Sequence, residues 1–86
     1  MNMVLVNKKA VKPKKDKDLW LKQLGLKIKE FRQKAGMSQA DLAYSIQMDA
    51  QNISRIERGL VNPSAYAVKQ ICEALGISIA DFYLSF

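Results

Sequence analysis

The sequence contains no histidine and a single cysteine. One cysteine cannot build a zinc site, and without histidine no side chain has an ordinary pKa near neutrality to act as a general base. No glycine-rich phosphate loop and no Ser/His/Asp set is present. The chain is therefore expected to be no enzyme and to bind no cofactor or metal. Cys72 falls on an apolar helical face, where it reads as a small buried residue rather than a nucleophile. It has no second cysteine for an intramolecular disulfide, which suits a reducing, cytoplasmic location. No apolar run approaches the roughly 18 residues of a membrane span. The opening MNMVLV has no basic residue before its apolar part and does not read as a signal peptide.

What is present is an apolar fraction of 49% in 86 residues, enough for one domain with one small core. Charge is unevenly placed. Residues 1–34 hold eleven Lys/Arg and three Asp/Glu, and residues 35–86 hold three and five, so a half at +8 precedes a half at −2. Residues 1–17 show no helical period and include Pro13 and, between positions 8 and 15, the five lysines Lys8, Lys9, Lys12, Lys14 and Lys15. They read as a flexible basic arm. Its charge fits phosphate binding or a solvated tail equally well. Met1 to Val6 suit either a short strand or disorder.

The domain proper is expected over 18–86. Asp18 can cap a first helix running to about Ala35, with Leu21, Leu24, Ile28 and Phe31 as its buried stripe and Trp20 covering the edge of the core. Gly36 suits the end of that helix. The informative stretch follows, Ser38 to Gly59. Ser38 and Asp41 make a capping-box pattern ahead of a short helix whose apolar side is Ala40, Leu42, Ala43 and Ile46. Gln47-Met48-Asp49 breaks the period. Asp49 can cap a second helix, 49–58, that turns Ile53 and Ile56 inward and ends at Gly59. Its outward residues, Ala50, Gln51, Asn52, Ser54, Arg55 and Arg58, offer amides, a hydroxyl and guanidinium groups without a carboxylate. Such groups match base edges and phosphates, and two helices joined by a tight turn are the frame that presents them to DNA. Ser64 and Ser78 then start two further helices. Val68, Ile71, Cys72 and Leu75 face inward on the first of them, which Gly76 ends, and Asp81 repeats the Ser-x-x-Asp pattern on the second.

The stretches LGLKIKEFRQKAGMSQADLA, NISRIERG, NPS and ALGISIADFY, in that order, resemble the lambda-repressor-like (Cro/XRE-type) helix-turn-helix domains over about Leu24 to Leu84. The resemblance implies an all-α, five-helix fold and binding of double-stranded DNA with helix 49–58 in the major groove. It places Ala50, Gln51 and Arg55 at base-facing positions. Gln51 can bond adenine, Arg55 guanine, and Ala50 a thymine methyl group. Ser38, Gln39, Asn52 and Arg58 become phosphate contacts, joined by the arm lysines. Arg32 and Glu57, which alone read as a phosphate contact and a surface residue, fall where the family commonly pairs them. The family also carries a glycine at the position of Gly25, which suggests close packing there. The family's turn usually opens with glycine, and here Gln47 stands in that place.

The tail residues Ile79, Phe82, Tyr83, Leu84 and Phe86 are too many for a small core to hide, so an exposed apolar patch is expected. Tyr83 and Phe86 are the candidates for a homodimer interface on a palindromic operator. The resulting expectation is a transcriptional regulator, a repressor by preference. The alternatives are an antitoxin that also holds a toxin through the tail, and a protein-interaction adaptor that does not read DNA.

Overall fold

Three helices of the chain begin on a serine. The Oγ atoms of Ser38, Ser64 and Ser78 accept hydrogen bonds from the backbone N–H groups of Asp41, Ala67 and Asp81, at 2.9, 3.0 and 3.0 Å. Each bond satisfies a donor that the first helical turn leaves without a partner. At Ser38 the box is complete, because Asp41 Oδ2 accepts from the Ser38 N–H at 2.9 Å. The computed structural model describes residues 14–86, in which five helices follow one another: α1 (Lys14–Lys34), α2 (Gln39–Ser45), α3 (Ala50–Glu57), α4 (Ala65–Leu75) and α5 (Ile79–Leu84). Among the described residues there is no strand.

α1 starts at Lys14, ahead of the expected cap at Asp18, and so takes in Lys14 and Lys15, which the sequence pattern places in the arm. Lys-Lys-Asp-Lys-Asp contains no proline, glycine or β-branched residue to interrupt a helix, and Asp16 lies in the first turn, where the helix dipole favours an anion. Met1 to Val6, which suit either a strand or disorder, and Lys8, Lys9 and Lys12 lie outside the described residues.

α1 to α4 close with one hydrogen-bond pattern. After α1, Gly36 N–H and Met37 N–H donate back to Gln33 and Arg32 carbonyls; after α3, Gly59 and Leu60 donate to Ile56 and Arg55; after α4, Gly76 and Ile77 donate to Glu73 and Cys72. After α2 the same two bonds run from Gln47 to Tyr44 and from Met48 to Ala43. This closure needs one residue in the left-handed region. Glycine supplies it at three ends, and Gln47 supplies it at the fourth with φ 55°.

Every helix sends side chains to one core: Leu21, Leu24 and Ile28 from α1, Leu42 and Ala43 from α2, Ile53 and Ile56 from α3, Val68, Ile71 and Cys72 from α4, and Phe82 from α5. Phe31 packs on the edge, its ring 6.0 Å from Phe82. Ala40, expected on the inner side of α2, is exposed. A helix of seven residues is too short for a period to define its face. Phe82 plugs the core, whereas Leu84 is 81% exposed.

Candidate nucleic-acid interface

The orientation of α3 is set by two contacts with α1. The first is steric. Gly25 lies where α1 crosses the end of α3, and a Cβ there would fall against the carbonyl oxygens of Ile56 and Glu57. Only a residue without a side chain lets the two backbones approach this closely. The second is ionic. The Arg32 guanidinium forks onto the Glu57 carboxylate, Nε to Oε2 at 2.6 Å and Nη2 to Oε1 at 3.0 Å, and its Nη1 donates to the Met37 carbonyl at 2.7 Å. The two side chains are 9% and 2% exposed. Hydrogen bonding to Glu57 holds the guanidinium above its already high ordinary pKa, so Arg32 stays charged. Glu57 Oε1 also accepts from Gln39 Nε2 at 3.0 Å, which ties the first residue of α2 into the same network. Arg32, Glu57 and Gln39 thus join α1, α2 and α3 at one point.

α3 carries its inward residues Ile53, Ile56 and Glu57 on one side. On the other, Gln51, Ser54, Arg55 and Arg58 follow at three- and four-residue spacing and share a face. Gln51, Arg55 and Arg58 are exposed and Ser54 is half-buried. Among the described residues neither Arg55 nor Arg58 has a carboxylate in ion-pair reach; Arg58 makes one long bond, Nε to the Ser54 carbonyl at 3.4 Å. Ala50, expected to touch a base, is half-buried and packs on the core edge, and Asn52 is half-buried as well. Asp49 has the extended backbone of a cap, but its side chain makes no capping bond and stays exposed. Its backbone alone starts α3, the carbonyl accepting from Asn52 and Ile53 at 2.9 and 3.2 Å.

Of the expected phosphate contacts, Ser38 is engaged in its capping box and Gln39 is held by Glu57, with its amide carbonyl and one amide hydrogen left over. Hydrogen bonding to Ser38 holds the Asp41 carboxyl below its ordinary pKa, the backbone N–H contributing most. Lys22, Leu26, Lys29 and Ser54 are not among the expected site residues, yet they line an open groove of about 460 Å³ together with Gln39, Glu57 and Arg58. Lys22, Leu26 and Lys29 recur at four and three residues along α1, and that spacing is the one signal the sequence offers for them.

Away from α3, Tyr83 and Phe86 gather with Trp20. The Trp20 ring lies 6.4 Å from Tyr83, nearly parallel, and 5.0 Å from Phe86. Phe86 is half-buried against the core and Tyr83 is 40% exposed. Burial raises the pKa of the Tyr83 phenol and of the Cys72 thiol, which leaves both neutral near pH 7. No described helix is long and apolar enough to cross a membrane.

Residues 28–82 match a protein family described as helix-turn-helix. An uncharacterized HTH-type transcriptional regulator of Archaeoglobus fulgidus is 33% identical over 58 residues, covering 67% of this chain and 83% of its own. HTH-type transcriptional regulator DdrOP3 of Deinococcus deserti is 31% identical over 55 residues, covering 64% of this chain; the match spans only 43% of that relative's length. Among solved structures, the restriction-modification controller protein C.Esp1396I, a tetramer in complex with its natural 35-base-pair operator, superposes with a TM-score of 0.71 at 34% identity, covering 76% of this chain and 86% of its own. The matched stretch contains α2, α3, Arg32 and Glu57, and the chain belongs to the helix-turn-helix family of the Cro/C1 type.

Proposed function

We propose that this chain is a sequence-specific, double-stranded DNA-binding transcriptional regulator that acts as a cytoplasmic repressor. The observation that carries this reading is the outer face of α3, where Gln51, Arg55 and Arg58 stand exposed and without ionic partners on a helix locked from behind by Gly25, Arg32 and Glu57. In this reading α3 lies in the major groove. Gln51 and Arg55 bond base edges, the Ala50 methyl meets a thymine, and Ser38, Gln39, Asn52 and Arg58 hold phosphates. The lysines Lys8, Lys9, Lys12, Lys14 and Lys15 add contacts to the duplex backbone without reading it.

The aromatic corner of Trp20, Tyr83 and Phe86, with exposed Leu19 and Leu84 near it in sequence, supports a homodimer joined through the tail. A dimer would set two copies of α3 about 34 Å apart on a palindromic operator. The assembly of a related controller on its operator favours the same arrangement.

Selection of binding sites from random duplexes, scored at two salt concentrations, tests the function. The expected result is a two-fold symmetric consensus and an affinity that falls steeply with salt. Recovery of no consensus would remove the reading. Sedimentation tests the assembly: a dimer at tens of micromolar should dissociate on replacing Tyr83 and Phe86 with Ser. A wild-type monomer would assign the corner to another protein, as in a toxin-binding regulator.

A further inference from the structure

The groove between α1 and α3 brings in Lys22, Leu26 and Lys29, which the outer face of α3 and the seam leave unused. Lys22 and Lys29 stand on its α1 side, Arg58 and Ser54 on its α3 side, and Gln39 at the start of α2. Its one carboxylate, Glu57, already accepts from Arg32 and Gln39, so it offers little to the lysines. Three other lysines of the helices have partners: Lys27 and Lys34 reach Glu30, and Lys69 reaches Glu73. Among the described residues, Lys22, Lys29 and Arg58 have no carboxylate in ion-pair reach. Three like charges around one groove repel each other until an anion enters. Two ammonium groups, a guanidinium and a hydroxyl are all hydrogen-bond donors, as phosphate oxygens require. Leu26, 62% exposed, adds an apolar wall of the kind a sugar ring can lie against.

We infer that this groove seats a backbone phosphate and its deoxyribose, making Lys22 and Lys29 of α1 DNA contacts outside the base pairs that α3 reads. The inference rests on the DNA-binding reading of α3. Ser54 and Arg58 line the groove and also share the outer face of α3 with Gln51 and Arg55, so one strand leaving the reading face runs directly into it. A free phosphorylated molecule has the same oxygens but would have no reason to need that continuity.

The test compares the full chain with its Lys22→Gln/Lys29→Gln variant on two duplexes, a selected operator and an unrelated sequence, across a range of salt. Glutamine keeps the side-chain stems, so the melting temperature should hold. Lys29→Gln alone is the second variant should the pair fail to fold, because Lys22 packs close to Gly59. The expected result is a similar loss of affinity on both duplexes, with a salt slope shallower by about 0.9 for each phosphate that is no longer neutralised. Preference for the operator should remain, and Lys69→Gln should change nothing. An unchanged slope with DNA binding intact would overturn the inference alone. A wild-type chain that binds neither duplex would remove the DNA reading and this inference with it. Inorganic diphosphate that displaces operator DNA at micromolar concentration from the wild type, and not from the variant, would overturn it by giving the groove to a free phosphorylated ligand.

Discussion

Arg32 lies in the seam between α1 and α3, nearly buried, with Glu57 and the Met37 carbonyl taking its donors. Arg55 lies on the opposite side of α3, exposed, with no carboxylate in reach among the described residues. The two side chains are chemically identical, and burial with a partner separates their roles. In the seam, removal of one charge leaves the other in a place water cannot reach, so the pair fixes geometry. On the outer face, a guanidinium loses nothing in stability by waiting for a ligand. A helix that reads DNA needs both conditions: it must be held rigidly from behind and left polar and unsatisfied in front.

The comparison breaks most visibly at the seam itself. Arg32→Met or Glu57→Gln should each destabilise the protein by about 3–5 kcal/mol in denaturant titrations. The double replacement Arg32→Met/Glu57→Met should cost less than the sum, since it leaves no orphan charge. Additive losses would mean that the pair does not act as a unit. Gly25→Ala comes next, and its sign is diagnostic. In an ordinary helix interior this change stabilises by up to about 1 kcal/mol. Here the new methyl group meets backbone carbonyls that cannot turn aside, and a loss of about 1–3 kcal/mol is expected. A rise in melting temperature would show that α1 and α3 can separate freely.

The turn in front of α3 sharpens the contrast from another side. Gln47 closes α2 in the left-handed conformation that glycine supplies at the ends of α1, α3 and α4. Gln47→Gly should therefore stabilise by about 1 kcal/mol, with little change in DNA affinity. A fall in stability would mean that the glutamine side chain holds the turn. The smallest effect concerns the α2 cap. The Asp41 carboxyl is held below its ordinary value by Ser38, so its contribution is fully present above the unfolded-state pKa of about 3.9 and disappears as pH falls through the lower folded value. The wild type should melt above Asp41→Asn at pH 6, and the gap should close on acidification below pH 4. A gap that stays constant to pH 2 would contradict the capping role.

Much of this arrangement is legible in the sequence for local reasons. A serine cap acts over three residues and a Schellman ending over five, so Ser38, Ser64, Ser78 and the glycines announce three helix starts and three helix ends directly. The start of α1 is misplaced from sequence because aspartate suits both a cap and a first turn, and Asp16 and Asp18 do not distinguish the two. Arg32 and Glu57 are 25 residues apart, beyond any local rule; their pairing follows from family resemblance and is observed as a bidentate bond. The groove of Lys22, Lys29 and Arg58 shows in the sequence only as the spacing of its α1 residues, because three helices must pack before its walls exist. Asp49 shows the limit in the other direction. It has the residue type and backbone of a cap, and its side chain nevertheless makes no capping bond and stays exposed.

The central claim, that the outer face of α3 reads sequence while the seam only holds it, is tested most directly by Arg55→Ala. Its affinity would be measured on the selected operator and on an unrelated duplex at one salt concentration, together with its melting temperature. A loss of about 1–3 kcal/mol on the operator, little loss on the unrelated duplex, and stability unchanged within about 0.5 kcal/mol are expected. Equal losses on both duplexes would contradict the claim and make Arg55 one more phosphate contact.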